Sequence, residues 1–375
     1  MALDKLVDSA QLDADLTTIA NAIRTRGGTS DTLSFPSGMA SAVLAIPSGG
    51  GGGTAGFVYP KDINFYDYDG VLLESWTLAE LQTKTALPDY PTHAGLTSQG
   101  WNWTLEALKA TNRKMNVGAT YVTDDGSTRL YITIDVLGRT TIPLYFSQTV
   151  ANDVVIDWGD GSATETVEGT GAVNTSHTYT SVGDFVIKLK STTGTMTLGD
   201  TANKRNIFGF SPTSSDTSKN YILNRLKKVE LDSNVELNRS FNDCYCLSCL
   251  LISKGFSMYS FTSYSFNKTA IKFIVFPDPI YFINNSIQGS NLVSVSVPYT
   301  LTNLYDYAFA NTKLKDITLP TEVGSMGSFA FLNTNLETIF IYATYISNRA
   351  FGQNYYLQNV VLSEGLGAIK STTFE

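Results

Sequence analysis

The chain has 375 residues, 43% hydrophobic and 16% charged, with 26 Lys and Arg against 34 Asp and Glu for a net charge of −8. That length calls for several domains with cores of their own, and an acidic chain without a Lys/Arg run is a poor ligand for nucleic acid. No apolar stretch approaches the roughly 20 residues of a membrane helix, and Met1–Asp15 carries acids and no apolar core, so neither membrane insertion nor a secretion signal is expected.

The first segment, residues 1–47, reads as helical. Leu12, Leu16, Ile19 and Ile23 recur at helical spacing. Ser9 offers an N-cap, Gly27-Gly28 a stop, and a second short helix can run from Pro36-Ser37 to Ile46. The seam needs a cover, which can be a partner, another copy of the chain or the following domain. Val7-Asp8-Ser9-Ala10-Gln11-Leu12, Ala20-Asn21-Ala22-Ile23-Arg24, Gly27-Gly28-Thr29 and Phe35-Pro36-Ser37-Gly38 resemble the N-terminal attachment segment of virion proteins from phages of gut Firmicutes. That resemblance implies docking to other virion proteins and a homo-oligomer, with a trimer favoured. Residues 48–56 hold five consecutive glycines, Gly49 to Gly53, and read as a flexible linker.

Residues 57–127 form the next unit. Ile63 to Asp69 alternates apolar and polar residues into an Asp69-Gly70 turn, and Val71-Leu72-Leu73 returns as a partner strand. A helix-like stretch follows from Leu78 to Thr85 and ends before Pro88 and Pro91. Phe65-Tyr66-Asp67-Tyr68-Asp69-Gly70, Pro88, Pro91, Gly95 and Gly100-Trp101 resemble the internalin B-repeat module, which implies a small β-grasp-like domain used as spacer or adhesion unit. Leu96-Thr97-Ser98 stands where that family has an aromatic-rich strand.

Residues 128–200 read as a β-sandwich, with strands over Leu130–Val136, Thr141–Phe146, Val154–Trp158 and Phe185–Leu189 separated by turn clusters. Asp157 and Asp160 are a conceivable acid/base or calcium pair, but Asp-Gly turns explain them without a ligand. His177 is expected to fix a strand edge through its ring N–H. Asp157-Trp158-Gly159-Asp160-Gly161, His177-Thr178-Tyr179 and Gly183-Asp184-Phe185-Val186-Ile187 resemble a PKD-type domain, which implies an immunoglobulin-like sandwich that spaces or contacts proteins and glycans.

Residues 201–375 carry a repeat. An L-x-x-I-x-L core begins at Leu226, Leu247, Ile271, Leu292, Leu314, Leu336 and Leu357, with steps of 21 to 24 residues. A second anchor, Phe241, Phe266, Ile287, Phe309, Phe331, Phe351 and Phe374, keeps the same phase. This period marks a leucine-rich solenoid whose copies bury one another. Ala-Phe before the turn and Leu-Pro closing the strand resemble the BspA-type leucine-rich repeat of bacterial and phage surface proteins, with departures at Ser286-Ile287 and in the copy that carries the cysteines. The last copy reaches Phe374-Glu375 with no polar cap, so a partner or further chain is expected there. Cys244, Cys246 and Cys249 read as buried small residues of one copy, since two histidines make a thin zinc set and one pairing would leave a Cys over.

Within each strand the residues between core positions face outward and stack in columns. These are Phe273 and Val275, Ser294 and Ser296, Asp316 and Thr318, Thr338 and Phe340, Asn359 and Val361. Loop tyrosines, Tyr305, Tyr345 and Tyr356 among them, add large contact area at low entropy cost. With no recognisable catalytic pair, phosphate loop or nucleophile motif, the expected protein is a mainly β, multi-domain, non-enzymatic binder without a cofactor or metal. Its expected partner is a bacterial cell-surface protein or glycan. A phage tail or baseplate adhesin is the first reading and a bacterial cell-surface adhesin or spacer the alternative.

Overall fold

The computed structural model describes residues 60–375 except 201, 212, 215–217, 257–263, 363–367 and 371. The expected helical segment, with Leu12, Leu16, Ile19 and Ile23, and the glycine linker lie outside the described residues.

In the first module β1 (Ile63–Tyr66) and β2 (Leu72–Trp76) form the expected antiparallel hairpin, with Gly70 at φ +89° in its turn. Helix α1 (Leu78–Thr83) opens on a capping box in which Thr77 and Glu80 satisfy each other's backbone N–H. Then come β3 (Leu96–Trp101), α2 (Leu105–Thr111) and β4 (Met115–Thr123). The sheet order is β2-β1-β4-β3, with β1 and β4 parallel at its centre. Ile63, Phe65, Trp76, Leu81, Leu108 and Val117 fill the core between sheet and helices.

The sandwich contributes β5 (Thr128–Ile134), β6 (Thr141–Gln148), β7 (Val155–Asp157), β8 (Glu165–Thr166), β9 (Gly171–Thr178), β10 (Gly183–Lys190) and β11 (Met196–Gly199). Asp157 and Asp160 sit in turns, accepting the N–H groups of Gly159 and Ser162. His177 Nε2 lies 2.7 Å from Asp160 Oδ2 and its ring stacks on Trp158 at 5.0 Å. Asp153, 4% exposed, accepts from the hydroxyls of Ser191, Thr192 and Thr193 and the N–H groups of Thr192, Thr193 and Gly194. These donors, led by the Ser191 hydroxyl, hold its carboxyl well below the usual range.

The repeats begin after α3 (Lys219–Leu223). Strands β12 (Leu226–Leu231), β14 (Cys249–Ile252), β15 (Phe273–Val275), β17 (Ser294–Ser296), β19 (Asp316–Thr318), β21 (Thr338–Ile341) and β23 (Asn359–Leu362) form one side of the solenoid. The other side holds β13 (Val235–Asn238), β16 (Phe282–Ile283), β18 (Asn303–Leu304), β20 (Ser325–Met326), β22 (Tyr345–Ile346) and β24 (Ala368–Ile369). The hydrogen-bonded neighbours run parallel, as β12–β14, β15–β17 and β19–β21–β23 on the first side and β16–β18–β20–β22–β24 on the second. The core positions of the first six copies are buried, whereas Leu357 and Val360 are half-buried and Leu362 is exposed in the last. The Phe anchors stack with rings 5.3–5.5 Å apart, as in the runs Phe241–Phe266 and Phe309–Phe331–Phe351–Phe374. The turns that deliver Phe241, Phe266, Phe309, Phe331 and Phe351 each place two residues four apart in the left-handed region, for example Tyr307 and Asn311, or Phe329 and Asn333. Asn is well suited to the second position, and there Asn333 donates to Asn311 of the preceding copy at 2.9 Å.

Sandwich and solenoid share their sheets. One sheet runs β8-β7-β10-β5-β12-β14 and the other β9-β6-β11-β13. Strand β12 pairs antiparallel with β5 on one edge and parallel with β14 on the other. A single hydrophobic core therefore extends from Leu130 to Phe351, and residues 61–375 form one compact unit.

Arg129 on β5 sits where all three parts meet, 4% exposed. It donates to Gly95 O of the first module at 2.8 Å, reaches Asp124 at 2.6 Å and Asp125 at 2.7 Å, and lies 3.3 Å from Glu230 on β12. Lys228 closes the network on Glu230 and on the Tyr68 hydroxyl, each at 2.7 Å. Burial pushes the Tyr68 phenol up to about 12, so the contact with Lys228 is that of a neutral donor-acceptor and a cation.

Candidate functional site: the exposed faces of the solenoid

The strand face was the expected contact surface, and its first half is covered. Along β4, Met115 and Val117 point to the helices, so Asn116 and Gly118 face the other way, onto β15 and β17. A Cβ on Gly118 would come within 2.4 Å of Val275, so only glycine lets the strands approach. Asn116 Nδ2 donates to Ser294 Oγ at 3.1 Å, and Ser296 Oγ donates to Asn116 O at 2.8 Å. Asn102, fully buried, donates to Phe276 O and lies 2.9 Å from Ser296 Oγ, while Trp103 Nε1 donates to Val297 O at 2.7 Å. Tyr66 packs on Phe273 at 4.8 Å between ring centroids.

Phe273 and Ser294 are thus half-buried, and Val275 and Ser296 are buried. Their outward direction follows from strand alternation, but the expected exposure does not, because a neighbouring module is shaped to fit them. Its reach continues to Tyr342, over which the Arg113 guanidinium lies at 3.6 Å.

The second half of the face is open. Asp316, Phe340, Asn359 and Val361 are exposed, and Thr318 and Thr338 half-buried. Phe340 and Val361 are partners in register on β21 and β23, 38% and 44% exposed, and Leu362 extends the apolar strip. Partial desolvation of the carboxyl and then the Glu337 charge raise the Asp316 pKa, although the residue keeps an exposed edge.

On the opposite side, Tyr305 and Tyr345 line one groove of about 550 Å³ with Asn284, Asn285, Asp306, Ser325 and Ser347. Both rings are more than two-fifths exposed. Tyr305 is held by stacking on Phe282 at 4.6 Å and 12°, and Lys370 lies 5.7 Å from the Tyr345 ring. Gly327 opens the groove wall, since a Cβ there would meet the Asp306 backbone N at 2.5 Å. The array joins planar rings to amide, hydroxyl and carboxylate groups, the combination that grips polyhydroxylated or mixed surfaces. Tyr356, 61% exposed, sits apart in the turn between Phe351 and β23. Sequence reading missed Asn284, Asn285, Asp306, Ser325 and Ser347, although their recurrence one repeat apart beside Tyr305 and Tyr345 was available as a signal.

The three cysteines are free, Cys244 buried and Cys246 and Cys249 partly so. Among the described residues no group of three or more His, Cys, Asp or Glu is placed to hold a metal ion, and no helix is long and apolar enough to cross a membrane.

Residues 214–289 and 284–375 match the BspA type leucine rich repeat region, in six copies. The C-terminal part of the chain is therefore a BspA-type leucine-rich repeat solenoid. No curated protein matches the chain in sequence. A leucine-rich repeat protein from Eubacterium ventriosum is similar in structure at 16% identity and a TM-score of 0.28, over 46% of this chain and 40% of its own. One from Bacteroides ovatus is similar at 19% identity and a TM-score of 0.30, over 37% of this chain and 43% of its own. The chain thus spans less than half the length of either.

Proposed function

We propose that this is a non-enzymatic surface adhesin that binds a cell-surface glycan or protein through the tyrosine groove of its solenoid. The observation that carries the reading is the convergence of two exposed tyrosines and five polar side chains in one groove, on a repeat of the BspA type. The open strip of Phe340, Val361 and Leu362 on the strand face adds an apolar contact surface. In this reading the first module and the sandwich are the β-grasp-like and immunoglobulin-like spacer units that their motifs resemble.

The repeat match supports display on a bacterial surface, which we place ahead of the phage virion. The opening residues favour the virion as second reading, with Leu12, Leu16, Ile19 and Ile23 as an attachment seam and a trimer as the assembly. Antibody labelling of intact cells and purified virions separates the two.

The binding test uses the whole chain. Labelled protein is applied to intact gut bacterial cells and to immobilised glycans and surface proteins, beside Tyr305→Ala, Tyr345→Ala and the double variant. Loss of binding by the double variant with an unchanged melting curve supports the proposal. Undiminished binding by the double variant sinks the groove, and turnover of any bound glycan sinks the non-enzymatic claim.

A further inference from the structure

Where the sandwich meets the start of the repeats, a second hollow of about 730 Å³ opens, a volume suited to a small ligand. Phe208, Phe210, Ile222 and Tyr145 line it and are buried, giving an aromatic and aliphatic floor. Thr141, Asn174, Thr175 and Ser176 contribute neutral hydroxyl and amide groups. No acidic residue lines it, and two arginines do, Arg139 and Arg205, both exposed.

In a chain of net charge −8, that concentration of positive charge needs an explanation. Among the described residues neither arginine forms an ion pair within 4.0 Å. Each guanidinium instead lies over a tyrosine ring, Arg139 at 5.1 Å from Tyr221 and Arg205 at 5.1 Å from Tyr145. Stacking on a ring face orders a guanidinium and leaves N–H groups for a planar anion, although Arg205 also engages the Tyr145 hydroxyl. A third arginine, Arg225, lies 3.9 Å from the Tyr221 ring, 3% exposed, with no hydrogen-bond partner for its guanidinium nitrogens. Among the described residues its ion-pair contact is Asp135, 3.6 Å away. The Asp200 carboxylate, close enough to accept from the Tyr145 hydroxyl at 3.2 Å, is engaged by the Ala202 N–H and by Asn203.

We propose that this hollow binds a carboxylate-bearing oligosaccharide. The arginines take the carboxylate, the floor takes the C–H face of a sugar ring, and the hydroxyl and amide rim takes its hydroxyls. A polymer of phosphodiesters would feel the same charge but offers no ring face for the floor. The hollow shares no lining residue with the tyrosine groove, so the two sites stand or fall separately.

The test is calorimetric titration of the whole chain with trigalacturonate and with sialyllactose. Controls are methyl-esterified trigalacturonate, lactose and polyglycerol phosphate. At least one acidic sugar is expected to bind, weakening with salt, and its neutral counterpart to bind at least about tenfold more weakly. Arg139→Ala and Arg205→Ala should each cost about tenfold and the double variant should abolish binding. Both arginines are exposed, and a melting curve of the double variant checks that it folds. Arg139→Lys with Arg205→Lys keeps the charge and loses the planar fork, and should recover part of the affinity. The proposal is overturned if neither acidic sugar binds, or if the neutral forms or polyglycerol phosphate bind as tightly. Full affinity in a folded double variant also overturns it.

Discussion

Strands β15 and β17 and strands β21 and β23 are copies of one repeat, yet they meet different surroundings. The first pair lies under a module with a glycine where Val275 presses in and buried amide and indole donors where Phe276 and Val297 expose carbonyl oxygens. The second pair presents Phe340 and Val361 to solvent. A repeat strand determines which side chains point out, but the facing surface determines whether they are core or contact.

The largest effect is expected from Arg129→Ala, which removes the ties between module, sandwich and Glu230. Losing one partner of a buried ionic network costs about 3–5 kcal/mol, to be read as a lower denaturant midpoint. Asp153→Asn weakens the sandwich without touching either half of the strand face. It should cost about 2–3 kcal/mol, since bonds to a charged acceptor contribute roughly 1.5–3 each. The Asp153 carboxyl is depressed relative to an unfolded value of about 3.9. Its stabilisation is therefore complete above that pH and is lost as pH falls toward the folded value. The gap between wild type and variant should close on acidification, and a gap that widens below pH ~4 would contradict the sign.

Gly118→Val should come next, at about 1–3 kcal/mol for overpacking. Its clearer readout is local: faster amide exchange over β15 and β17 with β21 and β23 unchanged. Unchanged exchange in all four strands would mean that the contact does not hold the module in place. The smallest stability effect is expected at the open end, where Phe340→Ser should stay within about 0.5 kcal/mol. A larger loss there would show that the strip is a packing surface after all.

The repeat was the most legible part of the chain, because one inward triad recurs from Leu226 to Leu357 and neighbouring copies require the same residue at the same place. The sandwich was half legible. Strand β10 shows alternating apolar residues, whereas β9, Gly-Ala-Val-Asn-Thr-Ser-His-Thr, lies at a sheet edge with partly exposed side chains and carries no apolar alternation, so only His177 pointed to a strand there. The docking of the first module was not legible. Gly118, Asn102 and Ser296 are small or polar, and nothing in their local pattern says that a face some 160 to 190 residues away complements them. The groove was partly legible: Tyr305 and Tyr345 stood out, but the hydroxyls and amides between them carry no periodic apolar signal.

Strand β12 answers to two architectures, completing a sandwich sheet on one edge and starting the solenoid ladder on the other. Length variation in this molecule therefore has a direction. A copy inserted between β22 and β23, beyond the reach of the first module, must match only its two neighbours. One inserted before β12 would have to rebuild an antiparallel pairing with β5 and a buried acid for Arg129. The array can be lengthened or shortened at its far end without disturbing the near end, on which the other modules are docked.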